Sequence, residues 1–449
     1  MGVKPNTSMS FIKRYSYSIA FTSSAFALNA IALLSLWLVS AHTQAQFPTQ
    51  DLNSLDSTSQ TSLVDFQAVA ILPFFSNSVN DELHPASKRE ERMREIAMEN
   101  MMGVRWGAER LRKEGYLIDL TFLDEVPDTI GNVTWDVSDI NGSDVVLGPL
   151  QMSSLTKSLR IIERSGADHV LLTPVNESIL KGSDAIRSII PSEKFAVDIL
   201  AVDIAKNHSN DHIIFVMTDG VDLDLETRFM DKLSSQLFSL SNLKDSTITL
   251  MFDTVHGSKH SVGSLSEKIN FYERNVVVTV AGRSARSMLS NLQMAVQIND
   301  STEIYVYSHP ELQDLGFIDV KFLERSRTTI PVSEVIVWND SSSIAAIKVF
   351  RKMYKSDPSK YSLRAHDAFL DAFLRKMQKE LGDLDFSILP AQLSTKYDWQ
   401  SVDTFSGYVN KAWDLSTFHH GQWCDTDTVP ILPEFVLPEL DDEGFFIRR

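Results

Sequence analysis

From Phe66 onward, short apolar runs alternate with stretches in which apolar residues recur every three or four positions. The run 68–74 (Ala-Val-Ala-Ile-Leu-Pro-Phe) is apolar throughout and broken by proline, the pattern of a parallel strand buried on both faces. A helix is predicted over 89–113, closed by Gly115. Strands follow at 117–123 and 144–149, a helix at 153–164 and a strand at 168–174. This alternation predicts right-handed βαβ units around a parallel sheet. The pattern then restarts. Helices at 195–206, 226–240, 262–272 and 284–296 interleave with strands at 212–218, 246–252, 275–281 and 303–308. A strand at 332–338 and helices at 343–354 and 365–381 come last.

Two successive runs of similar length predict an α/β protein of two stacked lobes, each a parallel sheet flanked by helices. No sequence repeat of fixed period accompanies them. Pro191 and Pro331 fall where one alternation stops and the next begins, which places crossovers between lobes there. One lobe is expected from 66–190 with 332–400 and the other from 191–331 with 400–425. An irregular tail is expected at 426–449.

The segment ahead of the first strand has a different character. Lys4, Lys13 and Arg14 precede a nearly uncharged apolar stretch at 18–38, and Thr43-Gln44-Ala45 is a small-x-small pattern. This reads as a signal peptide, residues 1–45, cleaved near Ala45 for export to the periplasm. Residues 46–65, rich in Ser, Thr, Gln and Asp, read as a linker. The competing reading is a retained anchor: 18–38 is long enough to span a bilayer, which takes about 20 residues. In that case the N-terminal segment is the only part expected in a membrane.

Composition narrows the function. Among 449 residues, 42 are Lys or Arg and 59 are Asp or Glu, a formal charge of −17. Such a chain is poorly suited to nucleic acid, whose phosphates need clustered cations. The single cysteine, Cys424, excludes an intrachain disulfide framework and any Cys-cluster metal site. Neither G-x-x-x-x-G-K-[ST] nor G-x-G-x-x-G occurs, and there is no G-x-S-x-G elbow. No acid or histidine pair has a spacing that argues for general acid–base work. No enzyme, cofactor or catalytic residue is therefore expected. His419-His420 with Cys424 resembles a metal cluster, but adjacent residues on a strand point to opposite faces. No metal ligands are assigned.

In open α/β sheets, ligands sit beyond the carboxyl ends of the strands. The loop 148–154 (Gly-Pro-Leu-Gln-Met-Ser-Ser) leads into a helix, where Ser153 and Ser154 either help hold a carboxylate or cap the helix. Asn176 follows the next strand. Its neighbour Glu177 argues against a carboxylate ligand at that point, because like charges repel. From the second run, Asp219 suits an ammonium group and Arg283 a carboxylate or phosphate. Both equally suit solvated loops. If a ligand exists, these five residues are expected to converge in one cavity between the lobes.

An ordered set of loose motifs carries a resemblance. The strand at 68–73, Gly103-x-x-x-Gly107-Ala108-x-x-Leu111-x-x-x-Gly115, the strand 117–124 with its terminal Asp, Asp144-Val-Val-Leu-Gly-Pro-Leu150, Leu172-Thr-Pro174 and Pro191-Ser192 appear in order. Over roughly 66–420 the chain resembles the type I periplasmic binding-protein family, the leucine/isoleucine/valine-binding group. It is similar to a bacterial subgroup often paired with LysM repeats, for which 46–65 is too short. Met101-Met102 stands where that subgroup tends to have aromatics. The resemblance implies a first helix packed closely on the sheet through its small residues. It also implies a small polar ligand, amino-acid-like or related, taken up or sensed with a membrane transporter or another envelope protein as partner. The same fold also serves as a scaffold or regulator in cell-wall synthesis without a small ligand, and that alternative stands beside the first.

Export is directly measurable. The protein recovered from the cell envelope should begin at or near Gln46 by N-terminal sequencing. An intact Met1 start in a soluble cytoplasmic fraction would refute the leader.

Overall fold

Strand β1 (Asp65–Leu72) is almost continuously buried, and two parallel sheets are built around it and its counterpart β6 (His212–Met217). This computed structural model describes residues 65–76, 86–128, 131–218, 220, 222–244, 252–256, 262–280, 282, 286–299, 302–336, 340–382 and 389–430. The expected leader (1–45), the linker up to residue 64 and the tail from 431 lie outside the described residues. Among the described residues, no helix is long and apolar enough to cross a membrane.

The first sheet takes β1, β2 (Leu117–Asp124), β3 (Val145–Leu147), β4 (Asp168–Leu171) and β5 (Ile186–Ser188). From far along the chain it adds β11 (Trp399–Ser401) and β12 (Tyr408–Asn410). Its order is β11-β12-β5-β4-β3-β1-β2, parallel except for β11. The second takes β6, β7 (Phe252–His256), β8 (Asn275–Val278), β9 (Ile304–Tyr307) and β10 (Thr329–Val332), completed by β13 (Asp414–His419) and β14 (Gln422–Asp425). Its order is β14-β13-β10-β9-β8-β6-β7, with only β13 and β14 antiparallel to their neighbours. The fold is thus the expected pair of α/β lobes.

Helices α1 (Lys88–Lys113), α2 (Val137–Ile140), α3 (Met152–Ser165), α9 (Ser341–Tyr354) and α10 (Lys360–Leu381) serve the first sheet. Helices α4 (Glu193–Asn207), α5 (Leu223–Lys244), α6 (Val262–Ser266), α7 (Arg286–Ile298) and α8 (Val320–Arg325) serve the second. The signals at the ends of α1 are local. Ser87 accepts from the Glu90 amide at 3.2 Å, Glu90 and Glu91 sit in the first turn, and Arg110, Arg112 and Lys113 sit in the last.

The chain passes between sheets at 189–192, after β10 from 333 onward, and at 411–413. It leaves the first sheet from the carboxyl end of β5 and the second from the carboxyl end of β10. Both sheets therefore turn the carboxyl ends of their parallel strands toward the crossovers. Asn410, fully buried, ties these passages together. Its Nδ2 donates to Ile189 O at 3.1 Å and Lys396 O at 3.0 Å, while its Oδ1 accepts from the Asp398 and Ala412 amides, both at 3.0 Å. The Val335 amide of the second passage donates to Ser394 O at 2.9 Å.

Several expectations need correction. Gly103 and Gly107 do not face the sheet; they face α10. A Cβ on Gly103 would run into the Ser362 carbonyl oxygen and meet Ala365 Cβ at 3.0 Å, and one on Gly107 would meet the Phe369 ring at 3.0 Å. The strand expected at 332–338 overlaps β10 only at Val332, where β10 ends; Pro331 lies inside β10 and the second passage begins at 333, near the expected crossover. The apolar residues Val335 and Ile336 belong to the passage between lobes, where Ile336 packs against the cluster around Trp106. The expected break at 400 falls within β11, which pairs with β12 in the first sheet; only 414–425 joins the second. The strand expected at 246–252 is seen at β7, residues 245–251 lying outside the described residues. The helix expected to reach 272 stops at Ser266.

The α1–α10 contact can be tested by a methyl group. On an exposed helix Gly→Ala stabilises by about 1 kcal/mol. At Gly103 the overpacking cost of about 1–3 kcal/mol should outweigh that gain. Gly103→Ala should therefore lower the urea midpoint, and a raised midpoint would contradict the close packing.

Candidate functional site

The strand ends that face the crossovers are the place to look for a site, and the first lobe presents three of them side by side. At the end of β3, Gly148 has φ +93°, and a Cβ there would strike the Ile71 carbonyl, so only glycine fits. Buried His169 fixes this turn: its Nε2 lies 2.6 Å from Gly148 O. Burial pushes the His169 pKa down to about 4, so the ring is neutral and donates from Nε2.

The next turn of chain was expected to offer amides to a ligand. It offers them to Glu125. This residue follows β2, is 2% exposed, and accepts from the Leu150 amide at 2.6 Å and the Gln151 amide at 3.0 Å. Ser154, buried in the first turn of α3, donates through Oγ to the Glu125 backbone carbonyl at 3.2 Å. Burial pushes the Glu125 carboxyl up to about 7, against the two amides that pull it down. Its neighbour Asp124 does the same for the loop after β1. It accepts from the amides of Phe74 at 3.0 Å, Phe75 at 3.3 Å and Ser76 at 2.6 Å, and from Ser76 Oγ at 2.7 Å.

The other expected residues are placed as follows. Neither Ser153 nor Ser154 caps α3; Gln151 is its N-cap residue, without a side-chain bond. Ser153 is exposed. Asn176 caps the short 3-10 turn Glu177–Leu180 by accepting from the Ser178 amide at 2.9 Å. Adjacent Glu177 forms an ion pair with Lys194, in the first turn of α4, across the first crossover. Asp219 and Arg283 lie outside the described residues, so the structure brings only Ser153, Ser154 and Asn176 to the adjacent ends of β3 and β4.

The second lobe repeats the device. Glu226, fully buried in α5, accepts through Oε1 from the Thr218 amide at 2.5 Å and Thr218 Oγ1 at 2.6 Å, at the carboxyl end of β6. Among the described residues its Oε2 is buried without a hydrogen-bond partner. Glu125 and Glu226 were not picked out from sequence. An acid just after a strand or in the first turn of a helix is visible there, but the loop it reaches is not.

The histidine pair also needs correction. His420 is not on a strand but in the β13–β14 turn with φ +53°, which swings its ring onto that of His419, centroids 3.9 Å apart. Glu324 of α8 joins them. Among the described residues, these three form the only group of three or more His, Cys, Asp or Glu side chains close enough to hold one metal ion.

Comparison with solved structures settles the architecture. A protein from Rhodospirillum rubrum assigned to branched-chain amino acid ABC transport superposes with a TM-score of 0.54 at 11% identity, covering 81% of this chain and 100% of its own. The fold is that of a two-lobed substrate-binding protein. An ABC transporter substrate-binding protein from Desulfitobacterium hafniense gives 0.49 at 13% identity, covering 81% of this chain and 100% of its own. The C-domain of LpoA from Haemophilus influenzae, a regulator of PBP1A, gives 0.47 at 12%, covering 80% and 99%. No protein-family model matches the chain. No curated protein matches it either.

The raised Glu125 pKa has a signed consequence. Between about pH 4.5 and 7 the folded chain keeps a proton that the unfolded chain has lost. Stability therefore falls as pH rises through that window, by at most about 1.4 kcal/mol per unit from this group. Relative to Glu125→Gln, the wild type should lose urea resistance from pH 4.5 to 7. Parallel curves would show that Glu125 titrates at its ordinary value.

Proposed function

We propose that this chain is an exported, non-catalytic envelope protein that uses the two-lobed substrate-binding fold as an interaction scaffold rather than as an amino-acid receptor. The observation that carries the reading is Glu125: the amides of Leu150 and Gln151 already hold a carboxylate of the chain itself. A ligand carboxylate approaching the start of α3 finds those donors already taken by the buried acid and would have to displace it. Ser154, the hydroxyl best placed to help, is engaged with the same residue.

A second reading keeps a small ligand but changes its charge. Glu226 Oε2, buried and unpartnered among the described residues at the end of β6, suits an ammonium group or another cation. On this reading Asn176 and Asp219 are the neighbouring contacts, Arg283 has no carboxylate to bind, and a membrane transporter is the natural partner.

Thermal shift of the processed chain with each standard amino acid and with simple polyamines separates the readings. A receptor at 100 times its Kd gains about 2.7 kcal/mol. The scaffold reading expects no shift from any of them. Stabilisation by an α-amino acid that disappears in Ser154→Ala would overturn it. Stabilisation by a polyamine that disappears in Glu226→Gln would establish the second reading instead.

A further inference from the structure

The group formed by Glu324, His419 and His420 lies far from the strand ends just described. Strand β13 runs antiparallel to β10, with Asp414 opposite Val332 and Thr417 opposite Thr329. The crossovers meet β13 at Asp414, so His419 and His420 emerge at the opposite, distal edge of the second lobe. None of the contacts that shape the crossover-facing edge involves them.

The local chain is arranged around the Glu324 carboxylate. Its Oε1 accepts from the His420 amide at 3.0 Å and its Oε2 from the Gly421 amide at 2.9 Å. These bonds fix the carboxylate against the hairpin turn, as outer partners fix the ligands of metal sites. His419 Nδ1 stands 3.7 Å from Glu324 Oε1, too far for a hydrogen bond and close to the spacing of two ligands around one ion. Ligand atoms of all three residues lie within 4.8 Å of one another. Zinc holds nitrogen and oxygen ligands at about 2.0–2.2 Å, which puts neighbouring ligand atoms about 3.3 Å apart in a tetrahedron. Half-buried His419 and Glu324 are already near that spacing, and exposed His420 is free to complete it by rotating its ring.

We propose that Glu324, His419 and His420 form a binding site for a divalent transition-metal ion, of which Zn²⁺ is the representative. Two imidazoles and one carboxylate are the ligand set that borderline cations prefer, and the fourth position is left to water. Such a site exchanges its ion with solution rather than burying it. The bound ion clamps the β13–β14 hairpin to α8, and so stiffens the outer edge of the second sheet.

Zinc chloride titrated calorimetrically into chelator-treated full-length protein tests this. The wild type should bind one ion through this group. His420→Asn, which keeps a residue tolerant of φ near +53°, should weaken binding at least about tenfold, and Glu324→Gln should do the same. A melting temperature that rises with zinc in the wild type and not in His420→Asn should accompany it. No zinc binding by the wild type, or equal affinity in wild type and His420→Asn, would overturn the site. Should Glu324→Gln unfold, His420→Asn alone decides, because its side chain is exposed and its ring packs on His419, a member of the same group.

Discussion

One buried carboxylate, Asp367, organises the passages between the lobes. It accepts from the amides of Leu393 at 2.9 Å, Ser394 at 2.8 Å and Thr395 at 2.8 Å, from Ser394 Oγ at 2.9 Å, and pairs with His366 Nδ1 at 2.7 Å. Burial pushes its pKa up, but His366 and the amides outweigh this and hold the carboxyl below its usual range. An unpaired charge at this depth costs several kcal/mol, so the site is stable only because its hydrogen bonds are complete. Arg110 of α1 completes it from behind, 3.0 Å from His366 Nε2. The segment held in this way, 393–395, bridges Glu334 and Val335 of the second crossover and leads to Asn410, which joins the first crossover to the third. Asp367 thereby fixes the segment that leads into β11, while β12 is held by β5 and by the Asn410 bonds.

The same chemistry recurs through the chain. Asp124, Glu125, Glu226, Glu324 and Asp367 each collect backbone N–H groups at a loop or turn. A formal charge of −17 is therefore not merely a solvated surface. Part of it stands at loops and turns as carboxyl groups that take up backbone donors, buried at Glu125, Glu226 and Asp367 and partly exposed at Asp124 and Glu324. That has a consequence for ligand chemistry. A donor engaged by an internal carboxylate is released only by displacing that carboxylate, and a charged hydrogen bond is worth about 1.5–3 kcal/mol.

The alternation of strand and helix was legible because strands such as β1, β3, β6 and β8 are buried along most of their length and helices such as α3 carry a one-sided stripe. Runs such as 68–74 and 212–218 need no knowledge of partners to be read. What escaped was set by distant pairing. The strands β5, β11 and β12 are three residues each and contain Arg, Gln, Ser, Tyr and Asn. Their strand character comes from joining an existing sheet edge, not from their own pattern. The glycines of α1 were visible, but their facing surface was not, since α10 lies about 260 residues further on. The site was legible only as positions. Ser154 and Asn176 stand at strand ends as expected, yet their hydrogen bonds were unreadable because Glu125 reaches the β3–α3 loop from another strand. His419-His420 failed for a local reason: alternation applies to a strand, and His420 sits one residue beyond it.

A receptor of two lobes works because a ligand favours the closed state over the open one, and only differential contact produces that shift. In this chain, contacts across the first crossover exist without any ligand. Lys194 pairs with Glu177, and the Trp413 indole donates to Ser192 O at 3.1 Å. The Asn410 bonds further tie the first passage to the third. The Lys194–Glu177 pair, which joins an element of each lobe, reduces the difference a ligand has left to make, while the other bonds tie one passage to another. On the proposed scaffold reading, these bonds and the carboxyl seated on the α3 loop serve a fixed shape, with partners recognised on the outside rather than in the gap.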